Sequence, residues 1–492
     1  MTSSTRLPFG GWGETAISFL LKIKRIILKK TILITLIFLK IGIHLMAQDS
    51  TMIESRRWYR DSVRAIHFAD WQSFSVQTVD LLRGYKPTRK QARSVYGGDK
   101  KHTFKATGFF RTEKEKERWW IVDPSGCAFI TNAINSVRQG KSPNNEKAFA
   151  AKYKTPADWM DALEGIISDN HFNGAGSWSE LENIVPYNAA HPTEPIVYTT
   201  QLSFIANFAQ KKKRKTVDPL AWVFDPTFPT FCDEHAQKNA AQYRNDPNLL
   251  GHFSDNELHF TTKKIDEIWA TTQEGDEARR VIVDFLKEKK AAQLNDLTES
   301  DREDFAARIA ATYYKTVSAA LKKHDPNHLY IGSRLHESAK FNKRIFTEGV
   351  EKYLDMVSIN YYGYWQPQAK HLEDWSIWTS KPFFITEFYT KGDDVGMKNS
   401  SGAGWLVRTQ KDRGLHYQNF CLQLLKNKHC VGWHWFRYQD NDPSDTSADP
   451  SNQDSNKGLV NTEYVVYKDL MEKMRQLNAN KYKLINFFDK RK

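Results

Sequence analysis

The sequence predicts an α/β fold: a (β/α)8 barrel with inserted helices and a short N-terminal extension. Three observations point there. From residue 119 onward, short apolar runs bounded by turn residues alternate with longer helical patterns, the rhythm of parallel pairing. Eight such runs fall within roughly 320 residues, the strand number of a barrel enlarged by insertions. No glycine-rich turn follows the first run, so a doubly wound nucleotide-binding sheet is not indicated.

Taken in order, the chain begins with a basic and apolar segment. Lys22, Lys24, Arg25, Lys29 and Lys30 precede the apolar run TILITLIFL (31–39), and LMA (45–47) offers a small residue for cleavage. This is the layout of an export signal, shorter than the ~20 residues of a membrane span. The expectation is a protein that is periplasmic or secreted, touching a membrane only if residues 1–47 are retained. Residues 48–104 read as an extension packing on the barrel, with a helix-like pattern over 62–76. Residues 105–492 read as the barrel itself.

The expected strands are CAFITNAIN (127–135), FNGAGSW (172–178), IVYTTQLSF (196–204), LLGHFSDNE (249–257), LYIGSRLH (329–336), MVSINYYG (356–363), PFFITEFY (382–389) and CVGWHWFRY (430–438). Helices are expected over 158–170, 301–325 and 408–428. The second has acids at its start and lysines at its end, as the helix dipole favours.

Charge and cysteine content narrow the partners. The net charge is +13, but residues 1–47 hold seven Lys/Arg and one Glu, which leaves +7 on the rest. That excess does not call for nucleic acid. The dense run KKKRK (211–215) reads as a solvated loop, with a site for an acidic polymer as the alternative. The four cysteines form no C-x-x-C pair, and neither H-x-H nor H-E-x-x-H occurs, so no metal and no cofactor is expected. Fifteen Trp and twenty Tyr exceed what a core needs. Flat rings of this kind stack on sugar C–H faces as readily as they fill cores.

In a barrel of this type the reactive groups sit at the C-terminal strand ends. The fourth strand ends in Asn256-Glu257, and the seventh carries Glu387. Two carboxylates so placed suit a retaining glycosidase, which needs them about 5–5.5 Å apart. One serves as acid and then base, the other as nucleophile, so their environments must differ. Asn256 is the expected donor to the sugar 2-OH. Tyr361 or Tyr362, beside Asn360, is the expected donor to the nucleophile. Trp435 is expected to floor a sugar subsite. Asn135, Trp178, Arg334, His336 and His434 complete the candidate substrate-binding set. Each has a plainer reading: Asp255 to Glu257 as a turn, Glu387 paired with Arg334 or Arg437, Trp435 as core. The loop 440–456 reads equally as a solvated loop or a lid.

The stretches WWIVDPSG (119–126), LLGHFSDNEL (249–258), PFFITEFYTKGDD (382–394), RTQKDRG (408–414), VGWHWFRYQDNDP (431–443) and NKGLVN (456–461) resemble the β-agarases of glycoside hydrolase family 50. The resemblance spans roughly residues 105–485. It implies cleavage of β-1,4 bonds in agarose or a related galactan such as porphyran, with Glu257 as acid/base, Glu387 as nucleophile and no cofactor. The partner is then a polysaccharide or oligosaccharide. Two alternatives stay open: a β-galactosidase or other β-glycanase on the same scaffold, and a barrel that binds polysaccharide without cutting it.

Overall fold

The computed structural model describes residues 50–87, 91–445 and 453–491. The export segment expected over 1–47 lies outside these residues. Among the described residues no helix is long and apolar enough to cross a membrane.

Eight parallel strands form one sheet: β1 (Thr131–Ile134), β2 (Gly174–Ala175), β3 (Val197–Leu202), β4 (Leu249–Ser254), β5 (Leu329–Tyr330), β6 (Val357–Asn360), β7 (Phe383–Phe388) and β8 (Cys430–Trp435). They neighbour one another in chain order from β1 to β5 and from β6 to β8, and β8 pairs with β1. Past the end of β5, Leu335 makes a parallel bridge to Ile359 of β6, so the two ends of the sheet also meet. Helices fill the connections, giving a TIM-like α/β arrangement.

Local sequence explains the main helices. Pro156–Asp169, Glu299–His324 and Gln410–Lys426 each begin with a reciprocal capping box, Thr155/Asp158, Thr298/Asp301 and Thr409/Asp412. In each, the threonine hydroxyl accepts from the third helical N–H while the acid accepts from the threonine N–H, which satisfies two orphan donors. The strand seam between β8 and β1 requires glycine at 432. A Cβ there would lie 2.1 Å from the Thr131 carbonyl oxygen, and φ is +151°.

Several expected elements are shorter than their apolar runs. The run 127–135 divides in two. Cys127–Phe129 belongs to a separate antiparallel sheet with Arg118–Val122, Arg111–Glu115 and Asp99–Thr103, and only Thr131–Ile134 enters the parallel sheet. The DPSG turn explains the split: the Asp123 carboxylate accepts from the N–H groups of Ser125 and Cys127, folding 118–129 into a hairpin. Phe110, Ile121 and Phe129 of this sheet and its approach join Leu250, Phe253, Phe384 and Val431 in one apolar cluster, so the hairpin seals the barrel interior.

The helix expected over 62–76 is not formed. Ile66–Phe68 and Gln72–Val76 are strands, the first pairing with Trp58–Arg60 and the second with Thr51–Arg56. QSFSV alternates polar and apolar residues, and its partner strand Thr51–Arg56 lies upstream of it, outside the window of a helical count. Thr51–Arg56 also pairs with Trp405–Val407, which follows β7.

KKKRK is not a free loop. Lys212 pairs with Asp225 at 2.6 Å, and Arg214 forks onto both carboxylate oxygens of Asp276 at 2.6 and 2.9 Å. All four cysteines are buried free thiols.

Candidate active site

A pocket of about 400 Å³ opens at the C-terminal strand ends. It is lined by Glu257, Glu387, Asn256, His336, Tyr362 and Trp178, together with Ser136, Arg138, Tyr389, Gly402, Ala403, Phe436 and Arg437. The two glutamates predicted from opposite parts of the chain therefore share one cavity.

The turn after β4 separates a structural acid, Asp255, from two residues that line the pocket, Asn256 and Glu257. Asp255 is buried, and its carboxylate accepts from the N–H groups of Phe204, Ile205 and Ala206 and from the Tyr313 hydroxyl. It caps the helix Phe204–Lys212 and fixes the turn. Asp255 and Glu257 both adopt φ of +50°, and Ser136, Trp178 and Arg334 also have positive φ. Strained non-glycine backbone at five positions beyond four strand ends is a mark of a functional site.

Glu257 accepts from Asn360 Nδ2 at 2.7 Å, and His336 Nδ1 lies 3.8 Å from its other oxygen. Burial pushes His336 down to about 4, with Lys340 adding to it, so the imidazole is neutral near pH 7. Asn360 is itself set by the Thr386 hydroxyl, which donates to its Oδ1 at 2.7 Å. The side-chain oxygen of Asn256 has no partner among the described residues although it is buried.

Glu387 sits in a different environment. Its side chain is only 8% exposed, it is ion-paired with Arg334, and it accepts from the Tyr362 hydroxyl at 2.7 Å. Burial raises its carboxyl above the ordinary range; the Arg334 guanidinium opposes this, nearby Glu257 adds to it, and the Tyr362 hydroxyl opposes it. The plainer reading of Glu387 as half of an ion pair is thus correct for Arg334 and wrong for Arg437.

Not every candidate reaches the cavity. Trp435 is fully buried, its indole N–H donates to the Lys457 carbonyl at 3.0 Å, and its ring packs on Phe388 and Tyr417. It does not floor the pocket; the next residue, Phe436, lines it instead. The alternation of β8 is the reason: Trp433 and Trp435 face the helix Gln410–Lys426, and His434 faces inward. The same alternation resolves the tyrosine pair. Tyr361 is buried outward with its hydroxyl 2.9 Å from His371 Nδ1, whereas Tyr362 faces Glu387.

Asn135, Arg334, Asn360 and His434 are all fully buried and lie beneath the lining. Asn135 donates to the Thr386 carbonyl at 2.7 Å, and His434 Nε2 is 3.0 Å from the Thr131 hydroxyl. Gly176 roofs them: a Cβ there would fall 2.1 Å from Asn135 Oδ1 and 2.7 Å from His434 Nδ1. These four residues support the pocket rather than face it. Trp178, His336 and Asn256 do face it.

Sequence reasoning missed Ser136, Arg138, Phe436, Tyr389, Arg437 and the loop 402–403. The first three follow β1 and β8 by one to four residues, so counting on past each strand end would have found them. The loop carries no such signal, since it reaches the pocket only because Lys391 and Trp58 hold it. Lys391 Nζ donates to the carbonyls of Asn399 and Ser401 at 3.0 and 2.9 Å, and the Trp58 indole N–H to that of Gly402 at 2.7 Å.

Among the described residues one trio has metal-ligand geometry: His252, Asp325 and His328. Its polar atoms satisfy one another, with His252 Nε2 and His328 Nδ1 each 2.8 Å from Asp325 Oδ2, and it lies outside the pocket lining. The acids Asp440 and Asp442 of the loop after β8 are buried at 3% and 6% exposure and hold local N–H and hydroxyl groups, so this part of the loop is not solvated.

Comparisons with known proteins give the chain its relatives. No family model matches the chain. It is 25% identical over 488 residues to β-agarase B of Vibrio sp. (strain JT0107), covering 80% of the chain and 50% of that protein. It is 23% identical over 455 residues to β-agarase A of the same strain, covering 74% and 45%. The chain thus spans about half the length of the curated relatives it matches. The agarase AgWH50C shares the fold at 22% identity and a TM-score of 0.66, covering 81% of the chain and 67% of that structure. The crystal structure of BpGH50 superposes with a TM-score of 0.79 at 32% identity, covering 90% of the chain and 96% of BpGH50. With that identity sustained over nearly the whole of both chains, the protein belongs to glycoside hydrolase family 50.

Proposed function

We propose that this protein is a retaining glycoside hydrolase that cleaves β-1,4-galactosidic bonds in agarose or a related galactan. One observation carries the reading: Glu257 and Glu387, from β4 and β7, share a pocket but sit in unlike environments. Glu387 is gripped by a cation and a phenol, which stabilise its ionised form, and is the nucleophile. Glu257, on a neutral amide and a neutral imidazole, is the acid and then the base. The likeness to the β-agarases supports agarose as the substrate class.

The chemistry proceeds in two displacements. Glu257 gives its proton to the glycosidic oxygen as a Glu387 oxygen bonds to the anomeric carbon and the aglycone leaves. Glu257 then takes a proton from water, whose oxygen displaces Glu387 with overall retention. The unpartnered Asn256 Oδ1 is suited to accept from the 2-OH, a contact that strengthens in the transition state. Trp178, Phe436 and Tyr389 supply faces for sugar rings.

The eight strands form a closed barrel in this reading, supported by the Leu335–Ile359 bridge, and residues 105–492 are the catalytic domain. Residues 48–104 pack on it, supported by the pairing of Thr51–Arg56 with Trp405–Val407, and residues 1–47 direct export. The test is product release from agarose, porphyran and neoagaro-oligosaccharides, followed by NMR of the first-formed anomer, with Glu387→Gln and Glu257→Gln alongside. The expected result is a β-anomer from the unmodified protein and loss of turnover in both variants. An α-anomer, or undiminished activity in Glu387→Gln, overturns the mechanism.

A further inference from the structure

The wall of the pocket built by β8 and β1 lies across the barrel from Glu257 and His336, and it is cationic. Four arginines are buried among the described residues: Arg118, Arg334, Arg413 and Arg437. The first three have partners. Arg118 forks onto Asp489, Arg334 pairs with Glu387, and Arg413 donates to the Thr390 carbonyl and the Gln410 side chain. Arg437 is the exception. It is 6% exposed, its Nε is buried without a partner, and among the described residues nothing accepts from its guanidinium. Yet it lines the pocket.

A buried guanidinium without an acceptor is costly, and proteins retain one where a ligand completes it. The surroundings sharpen which ligand. Exposed Arg138 stands at the same wall and repels Arg437; burial chiefly and this neighbour next push Arg437 down to about 9, while the carboxylates of Asp440 and Asp445 act the other way without accepting from it. A neutral hydroxyl does not offset adjacent cations; an oxyanion does. Two guanidinium groups carried on the segments that follow different strands suit a tetrahedral group, whose oxygens accept from separate directions.

We propose that Arg437, with Arg138 at the rim, forms a subsite for a sulfate ester on a sugar neighbouring the scissile bond, making the substrate a sulfated or partly sulfated galactan. The proposal rests on the glycosidase reading and names its substrate class. Arg437 is the specificity determinant, and Arg138 strengthens it.

The experiment compares kcat/KM on matched neutral and O-sulfated galactan oligosaccharides for the unmodified protein, Arg437→Gln and Arg138→Gln. It also titrates inorganic sulfate into each and into Glu387→Gln by calorimetry. The sulfated-to-neutral ratio of kcat/KM is expected to fall at least tenfold in Arg437→Gln and by a smaller factor in Arg138→Gln. Sulfate is expected to bind the unmodified protein and Glu387→Gln alike, and to lose at least tenfold in affinity in Arg437→Gln. An unchanged ratio in both variants, or sulfate affinity indifferent to Arg437, overturns the subsite. Because Arg138 is exposed, its variant reports even if Arg437→Gln does not fold. Absence of turnover on every galactan, with sulfate binding still dependent on Arg437, overturns the hydrolase reading and leaves the anion site standing.

Discussion

At the scale of single residues, the site is an exercise in giving two identical side chains different surroundings. Arg334 and Tyr362 address Glu387 alone, and Asn360 addresses Glu257 alone. Replacing Arg334 by Met leaves a buried carboxylate without its cation, a loss of about 3–5 kcal/mol of stability. It also raises the Glu387 carboxyl further, since the guanidinium is what opposes burial. The nucleophile must be ionised, so the acidic limb of the pH–rate profile is expected to move to higher pH; an unmoved limb counts against Glu387 as nucleophile. Tyr362→Phe removes one hydrogen bond to a charged group, worth about 1.5–3 kcal/mol. Its kcat is expected to drop by roughly 10–100-fold with the thermal midpoint little changed, as steady-state kinetics and calorimetry will show.

At the scale of elements, caps and turns set where reactive groups emerge. Asp255 is the clearest case, capping one helix while forcing Glu257 into the pocket. The capping box of Gln410–Lys426 works on stability alone, because Thr409 lies outside the pocket lining. Thr409→Ala is expected to cost about 1 kcal/mol in urea unfolding while kcat/KM stays at the unmodified value. A matching loss of activity shows instead that this helix positions β8 for the site.

At the scale of the whole molecule, burial of neutral imidazoles ties stability to pH. Burial pushes His416 down to about 4 and His434 to about 3. In the unfolded chain each titrates near ~6.5, so below that pH the unfolded state binds more protons. Their contribution is complete above about pH 6.5 and is lost as pH falls from there toward the folded values. Two such protons give a slope of about 3 kcal/mol per pH unit around pH 5. Denaturant midpoints measured from pH 7.5 to 4.5 are expected to fall steeply. His416→Gln, outside the pocket lining, is expected to flatten the decline.

The sequence by itself determined the alternation of strand and helix, the three capped helices and both glutamates at their strand ends. These depend on local periodicity and on side-chain bonds to nearby backbone, which a linear reading captures. It also left Tyr361 against Tyr362 open, took Trp435 for a pocket floor and read 62–76 as a helix. Only the tertiary structure decided those points. Which face of a strand looks inward is fixed by pairing with distant strands, and a slip of one residue exchanges wall for core. The strands near the N-terminus exist because Thr51–Arg56 lies between Gln72–Val76 and Trp405–Val407, a partnership across some 350 residues of chain. Arg437 shows the same division: its charge is plain in the sequence, but that its buried Nε has no acceptor among the described residues appears only in the folded chain.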